Sequence, residues 1–187
     1  MATTTIQPDT VAWYPMRVTY QRVLSVKEVL DAKHIENFLP LQWELRDLPN
    51  GQRRYEHTPL IKSIIFVRES VNNLTELKRL PSLEPLRFYT RPYGVNHEKR
   101  EIFPVPDKQM DDFIRLTSSS DERVVFLQDS DYLSAVSQRV RITEGEFAGV
   151  EGVVKRIKNN KCVVVRIEGL AAVAILRCPV STLQKID

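Results

Sequence analysis

Residues 140–154 read VRITEGEFAGVEGVV, and this stretch has the highest concentration of structural signals in the chain. Three of the six glycines fall within eight residues here, at Gly145, Gly149 and Gly152. Glycine fits where a backbone turns tightly with a positive φ or passes close to a neighbour. The pattern therefore predicts a strand, a tight turn and a second strand, with the Phe147 side chain filling the end of a small barrel.

The region around this stretch consists of short apolar runs separated by turn signals. Four runs have the length of strands, at 139–143, 152–157, 162–167 and 171–176. A segment of this size can bury a core only by closing its strands into a small barrel. We therefore expect residues 138–187 to form a small all-β domain.

Residues before this region alternate between strand and helix patterns. A strand with one buried face is predicted by four alternating residues, Tyr14, Met16, Val18 and Tyr20. Asn50-Gly51 predicts a hairpin, and the almost continuously apolar run 60–67 predicts a central strand. Shorter strands are expected at 86–89 and 124–127.

Three helices are predicted between these strands. Ser25 and Glu28 have the spacing of a capping box, and this helix should end near Lys33. Asn73 with Glu76 indicates a second helix start, and Pro106-Asp107 a third. Strands and helices in this order indicate an α+β fold, with helices packed on an antiparallel sheet.

Composition places the chain among ordinary globular proteins. Its 187 residues are 42% hydrophobic and 27% charged. They contain no run of about 18 apolar residues, which is the length that a transmembrane helix needs. The first ten residues lack a secretion-signal pattern, so we expect a cytoplasmic protein. Cys162 and Cys178 lack metal-ligand spacing and are expected to be reduced thiols.

Charge is unevenly distributed along the chain. Residues 137–187 hold 9 Lys and Arg against 5 Asp and Glu, whereas residues 1–136 hold 18 against 19. A solvated, lysine-rich face explains this basic end better than a strong nucleic-acid site does.

Both halves of the chain resemble domains of one family. Residues 140–154 resemble the KOW motif, whose positions here include Gly145, Phe147, Gly149 and Gly152. Trp13-Tyr14, the run 35–40 and the run 59–67 resemble the NGN domain in order and spacing. An NGN domain followed by a KOW domain is the architecture of the NusG family of transcription factors.

The resemblance implies a domain plan for the whole chain. A flexible tail (1–10) would precede a ferredoxin/RNP-like NGN domain (11–128). A linker (129–137) would lead to an SH3-like KOW barrel (138–187).

The resemblance also implies a function in transcription. Residues 105–110, 163–170 and 179–181 are similar to NusG paralogues that act as antiterminators in capsular polysaccharide operons. Such a factor binds RNA polymerase through its NGN domain and promotes read-through of long operons. Two alternatives stay open, an RNA- or ribosome-binding KOW module and the housekeeping NusG-type elongation factor.

Contacts with the transcription machinery can be placed on this chain by position. The clamp helices of the largest polymerase subunits would contact four apolar residues, Phe38, Leu39, Ile64 and Phe66. Core packing explains Phe38, Ile64 and Phe66 equally well. Ile64 stands where the family usually has an aromatic residue, and Lys62 where it usually has proline.

Nucleic acid and other proteins are further partners that the resemblance implies. Non-template DNA or nascent RNA would contact four basic residues, Arg17, Arg22, Lys78 and Arg79, although a solvated face explains them more simply. A ribosomal protein or a termination factor would bind the KOW domain. No membrane partner is expected.

An enzyme is the competing class of protein. The three histidines, His34, His57 and His97, have no partners at the spacing of a catalytic triad or a metal site. A helix start explains Asp107, Asp111 and Asp112 better than a pair of catalytic carboxylates does. We therefore expect no catalytic activity, no cofactor and no metal.

Overall fold

The computed structural model describes residues 7–93, 98–127, 138–157, 160–167 and 169–186. The chain divides into two compact units, Met1–Asp107 and Lys108–Asp187. The predicted linker, 129–137, and the first six residues of the predicted tail lie outside the described residues.

The described part of the first unit contains two α-helices and eight strands. The helices are α1 (Val23–Ala32) and α2 (Val71–Leu77), and a short 3₁₀ helix spans Pro81–Leu83. The strands are β1 (Ala12–Val18), β2 (Asn37–Phe38), β3 (Leu41–Asp47), β4 (Arg53–Pro59), β5 (Ile64–Glu69), β6 (Leu86–Phe88), β7 (Thr90–Tyr93) and β8 (Lys99–Ile102).

A four-stranded antiparallel sheet forms the centre of the first unit. Its strand order is β2-β5-β1-β6, so β1 and β5 are the inner strands. Side chains of alternate residues point to opposite faces of a sheet. One face carries Tyr14, Ile65 and Leu86, which are buried in one cluster with Leu30 of α1 and Leu74 of α2. Both helices therefore cover the same face.

Two hairpins complete the first unit. Strands β3 and β4 pair from Leu41↔Pro59 to Asp47↔Arg53 around the predicted Asn50-Gly51 turn, and Gly51 has a φ of 79°. Strands β7 and β8 form a second two-stranded sheet.

The second unit combines α3 with a six-stranded antiparallel sheet. Helix α3 (Asp107–Thr117) begins at the predicted Pro106-Asp107. The strands are β9 (Val124–Leu127), β10 (Arg139–Ile142), β11 (Glu151–Ile157), β12 (Asn160–Ile167), β13 (Ala171–Leu176) and β14 (Leu183–Lys185), in the order β14-β10-β11-β12-β13-β9. A short 3₁₀ helix spans Val180–Thr182. The α+β class predicted from the sequence is thus confirmed.

Four local predictions are wrong. The strand predicted at 60–67 begins only at Ile64, because the chain turns just before it, where Ser63 has a φ of 61°. Strand β1 ends at Val18, and Tyr20 is 76% exposed with a φ of 59°. Helix α1 begins at Val23, so Ser25 lies inside it and caps nothing. Helix α2 begins at Val71, because the Ser70 Oγ accepts a hydrogen bond from the Asn73 backbone N–H at 3.2 Å.

Within the described residues, neither cysteine is in a disulfide. Cys162 is buried and Cys178 is half-buried. Burial raises the pKa of the Cys178 thiol, which favours its neutral form.

Candidate functional site

Three of the four predicted polymerase-contact residues share one face of the central sheet. Phe38 lies directly opposite Phe66 in the pairing of β2 with β5, and Ile64 lies two residues from Phe66 on the same strand. Leu39 belongs to the cluster on the other face. Phe66 is 0% and Ile64 5% exposed, whereas Phe38 is half-buried on an edge strand. Phe38 is therefore the most accessible of the four.

Two arginines meet beside Ile64. Arg17 of β1 is the cross-strand partner of Ile64 on one side and of Arg87 on the other, and both arginines are exposed. Arg87 also pairs with the Glu84 carboxylate at 3.0 Å, so part of the like-charge repulsion across this strand pair is already offset. The sequence analysis proposed Arg17 as a nucleic-acid contact and not Arg87, because the pairing of β1 with β6 is not visible in the local pattern.

The other predicted nucleic-acid contacts lie at the ends of helices α1 and α2. Arg22 immediately precedes α1, and Lys78 and Arg79 immediately follow α2. Arg79 pairs with Glu76 at 2.9 Å. The Lys78 ammonium lies 4.6 Å from the Phe88 ring centre, and its pKa is lowered by burial and then by the charge of Arg87. Lys78 is thus held against the fold more than it is presented to a ligand.

The four residues predicted to form a KOW motif lie in the turn between β10 and β11 and at the start of β11. Gly145 and Gly149 have φ values of 80° and 87°, and residues with a side chain rarely adopt such values. The turn is closed by hydrogen bonds from Gly149 N–H to Ile142 O at 2.7 Å and from Ile142 N–H to Val150 O at 2.9 Å. Phe147 is buried.

Helix α3 donates several hydrogen bonds to this turn. The Lys108 ammonium donates to Gly149 O at 2.8 Å, and the Arg115 guanidinium donates to Ala148 O at 2.8 Å and to Glu146 O. The buried Asp112 carboxylate pairs with Lys108 and accepts from the Glu151 N–H at 3.0 Å. Helix α3 therefore fixes the turn between β10 and β11. The sequence pattern did not indicate this contact.

A charged pair lies against the Phe147 ring. The Arg123 guanidinium is 5.5 Å from the ring centre and donates hydrogen bonds to the Asp121 carboxylate at 2.5 to 3.0 Å. These side-chain bonds, followed by the bond from the Arg123 backbone N–H, lower the pKa of Asp121 from 3.8 to about 2. A cavity of about 260 Å³ lies beside Arg123 and Phe147.

Titration of Asp121 gives the first testable result. Because its pKa in the folded state is depressed, the pairing stabilises the fold above pH 4, and this contribution disappears as the pH falls from about 4 to about 2. In Arg123→Gln, we expect the Asp121 pKa to rise towards 3.8. Carboxyl chemical shifts measured by NMR across this pH range check both values. An unchanged Asp121 pKa in the variant would show that Arg123 is not the cause.

Two of the three histidines lie within the described residues. His57 packs against Trp43, with ring centres 3.7 Å apart, and His34 lies exposed just after α1. His97 lies outside the described residues. Within the described ranges, no group of three or more His, Cys, Asp or Glu side chains could hold a metal ion. In the same part of the chain, no helix is long and apolar enough to cross a membrane.

Comparison with known proteins gives one family match, which covers most of the first unit. The family model described as "Transcription termination factor nusG" matches residues 11–114, more than half of the chain. No curated protein matches the chain.

Proposed function

Because the chain belongs to the NusG family, we propose that it is a non-catalytic regulator of transcription antitermination and elongation. The family match over residues 11–114 is the observation that carries this proposal. Binding to RNA polymerase would occur through the NGN domain, residues 11–128, in the cytoplasm. The resemblance of 105–110, 163–170 and 179–181 to specialised paralogues supports a role in read-through of long operons such as capsular polysaccharide loci.

The polymerase contact is proposed for the sheet face that carries Phe38, Ile64 and Phe66. Leu39, the fourth predicted contact, follows Phe38 in the chain but is buried on the other face. Phe38 is the accessible member, because it lies half-buried on the edge strand β2. Ile64 and Phe66 are buried, so they would touch the polymerase only after the groups that cover them move. Aromatic anchors surrounded by polar residues are typical of the energetically dominant part of a protein interface.

Contact with non-template DNA is proposed for the same face. Arg17 lies next to Ile64 in the sheet, and Arg87 lies next to Arg17. Arginine can pair with phosphates and stack on unpaired bases. Arg22, Lys78 and Arg79 are proposed to contribute to DNA binding as well, although Lys78 packs on Phe88, and Arg79 pairs with Glu76 as Arg87 pairs with Glu84.

The second unit is proposed to contain a KOW barrel over residues 138–187. Its residues Gly145, Phe147, Gly149 and Gly152 match the motif, and five strands of the antiparallel sheet, β10 to β14, lie in this range, which supports the proposal. A ribosomal protein or a termination factor would bind there. A purely RNA-binding module is less well supported, because Arg139 and Arg141 both pair with Glu151 and so lose part of their attraction for phosphates.

Retention of purified core RNA polymerase by the immobilised full-length protein tests the proposal. We expect the wild type to retain the polymerase and Phe38→Ala to weaken retention about tenfold, since losing an anchor residue at an interface commonly costs more than 1 kcal/mol. Leu24→Ala is the matched control, because it removes an exposed apolar side chain from α1. Read-through of a terminator in a purified transcription assay should then increase with the wild-type protein.

Two results would contradict the proposal. Absence of retention by the wild type at every salt concentration would exclude a direct polymerase contact. Equal retention by Phe38→Ala and the wild type would leave the polymerase as partner but place its contact elsewhere.

A further inference from the structure

The β3–β4 hairpin carries an exposed aromatic surface. In the strand pairing, Trp43 lies opposite His57 and Leu45 lies opposite Tyr55, so all four side chains point to the same side of the hairpin. We call these four residues the aromatic face. Trp43 is 65%, Tyr55 66% and Leu45 45% exposed. The Trp43 and His57 rings also stack on each other, which orders this side of the hairpin.

The opposite side of the same hairpin is charged and internally paired. Arg54 pairs with Glu56, and Arg46 lies within 4.0 Å of both Glu44 and Glu56. Strands β3 and β4 pair only with each other within the described residues. A two-stranded hairpin is at best marginally stable in water unless its apolar side is covered. An apolar patch of this kind on a soluble protein marks a contact surface.

Charge argues against a nucleic acid as the occupant. Residues 41–59 contain three arginines and three acidic residues, which gives this segment no net charge apart from His57. On the aromatic side itself, the Arg53 guanidinium is held by Asp47 at 2.8 Å. Nucleic-acid binding depends mainly on cations that neutralise phosphates. A neutral aromatic surface instead fits an uncharged, apolar surface of a protein.

The area of the aromatic face argues against a second copy of this chain as its binding partner. A fully buried Trp or Tyr side chain removes about 150–250 Å² from water, so the aromatic face offers roughly 300 Å². A stable interface needs about 800 Å² from each partner. Two hairpins packed face to face would therefore be too small to hold a dimer. The occupant must be a protein that also contacts another part of this chain.

We propose that the aromatic face is a second contact with RNA polymerase, additional to the face that carries Phe38. This inference rests on the proposed function, which supplies a large protein partner already bound to the first unit. The hairpin contact differs from the β5 contact in one respect. In the folded protein, the Trp43 and Tyr55 side chains are exposed, whereas Ile64 and Phe66 are buried.

Two variants of the full-length protein test the proposal, each compared with the wild type for retention of purified core RNA polymerase. Trp43→Thr with Tyr55→Thr removes the aromatic rings and keeps residues that favour strands. Leu45→Lys with Tyr55→Glu replaces an apolar cross-strand pair with an oppositely charged one, which preserves the hairpin if the rings are needed for its folding. The matched control is Gln42→Ser with Arg46→Ser, on the charged side of β3.

We expect both aromatic-face variants to weaken retention about tenfold or more, because aromatic anchors dominate interface energies. The control should retain the polymerase as the wild type does. Far-ultraviolet circular dichroism and thermal melting should be the same for all four proteins.

Other outcomes overturn the proposal in distinguishable ways. Unchanged retention by both variants, with the wild type bound, would remove the hairpin contact and leave the proposed function intact. No retention by the wild type would remove the hairpin contact and the proposed function together. Sedimentation that shows a wild-type dimer and monomeric variants would assign the aromatic face to a second copy. Loss of binding to single-stranded DNA in place of polymerase would assign it to nucleic acid.

Discussion

Phe66→Ala is expected to lower the free energy of unfolding by about 3–5 kcal/mol. Phe66 is fully buried on the inner strand β5, between its cross-strand neighbours Phe38 and Pro15. Removing the ring leaves a cavity that the neighbouring strands cannot close without breaking their pairing. The cost therefore includes the lost transfer free energy of the ring and the cavity itself.

Urea unfolding followed by tryptophan fluorescence measures this loss, because Trp13 is buried in the same sheet and Trp43 is already exposed. Phe38→Ala provides the control: the same side chain is removed from the same face, but from a half-buried edge position, so its cost should be clearly smaller. A loss below about 1 kcal/mol for Phe66→Ala would contradict the burial of Phe66.

This result also separates the two interpretations that the sequence leaves open for Phe66. A large loss of stability identifies a core residue, and weaker polymerase binding by Phe66→Ala would then reflect unfolding of the sheet. Phe38→Ala is the better probe of the proposed contact for the same reason.

Gly152→Ala is expected to destabilise the second unit by about 3 kcal/mol. A Cβ atom at Gly152 would lie 2.6 Å from the Val164 carbonyl oxygen and 2.8 Å from Val163 Cγ1. The first of these is a backbone atom of the neighbouring strand β12, so β11 and β12 would have to move apart. Five cross-strand pairs join these strands, from Val153↔Val164 to Ile157↔Asn160, and their hydrogen bonds would weaken together.

Gly149→Ala is the matched control for Gly152→Ala. Gly149 has a φ of 87°, but no atom lies within 4 Å of the position that its Cβ would occupy. Alanine there should cost only the strain of a left-handed backbone, about 1–2 kcal/mol. Urea unfolding of both variants gives the comparison. If Gly152→Ala were no less stable than Gly149→Ala, close approach of the strands would not be the reason for glycine at 152.

Sequence patterns correctly predicted the turns and helix starts that neighbouring residues determine. The Asn50-Gly51 turn forms as expected because glycine adopts the positive φ that this turn requires. Helix α3 begins after Pro106, where proline is compatible with a helix start and Asp107 suits the positive end of the helix dipole. The strands of the second unit match the predicted runs to within a few residues.

Local patterns failed where packing competes with capping. The predicted capping residue Ser25 lies inside α1, which begins two residues earlier at Val23. Val23, Val26 and Leu30 are the buried residues of this helix, so burial of its apolar side, not the serine cap, determines where it starts. Tyr20 continues the alternation of β1 in sequence, but the chain turns after Val18 towards α1.

Sequence alone determined the α+β class and the family, because these depend on composition, periodicity and motifs, and it proposed several residues for contact with a partner. Tertiary structure decided which of those residues are accessible. Pairing of β2, β5 and β1 places Phe66 in the interior and Arg17 beside Arg87, and no local pattern contains that pairing. The β3–β4 hairpin pairs with no other strand within the described residues, which leaves Trp43 and Tyr55 exposed, although their apolar rings gave no sign of it in the sequence. Burial of Phe66 depends on distant strands meeting, and the cost of bringing them together is repaid only by the assembled sheet.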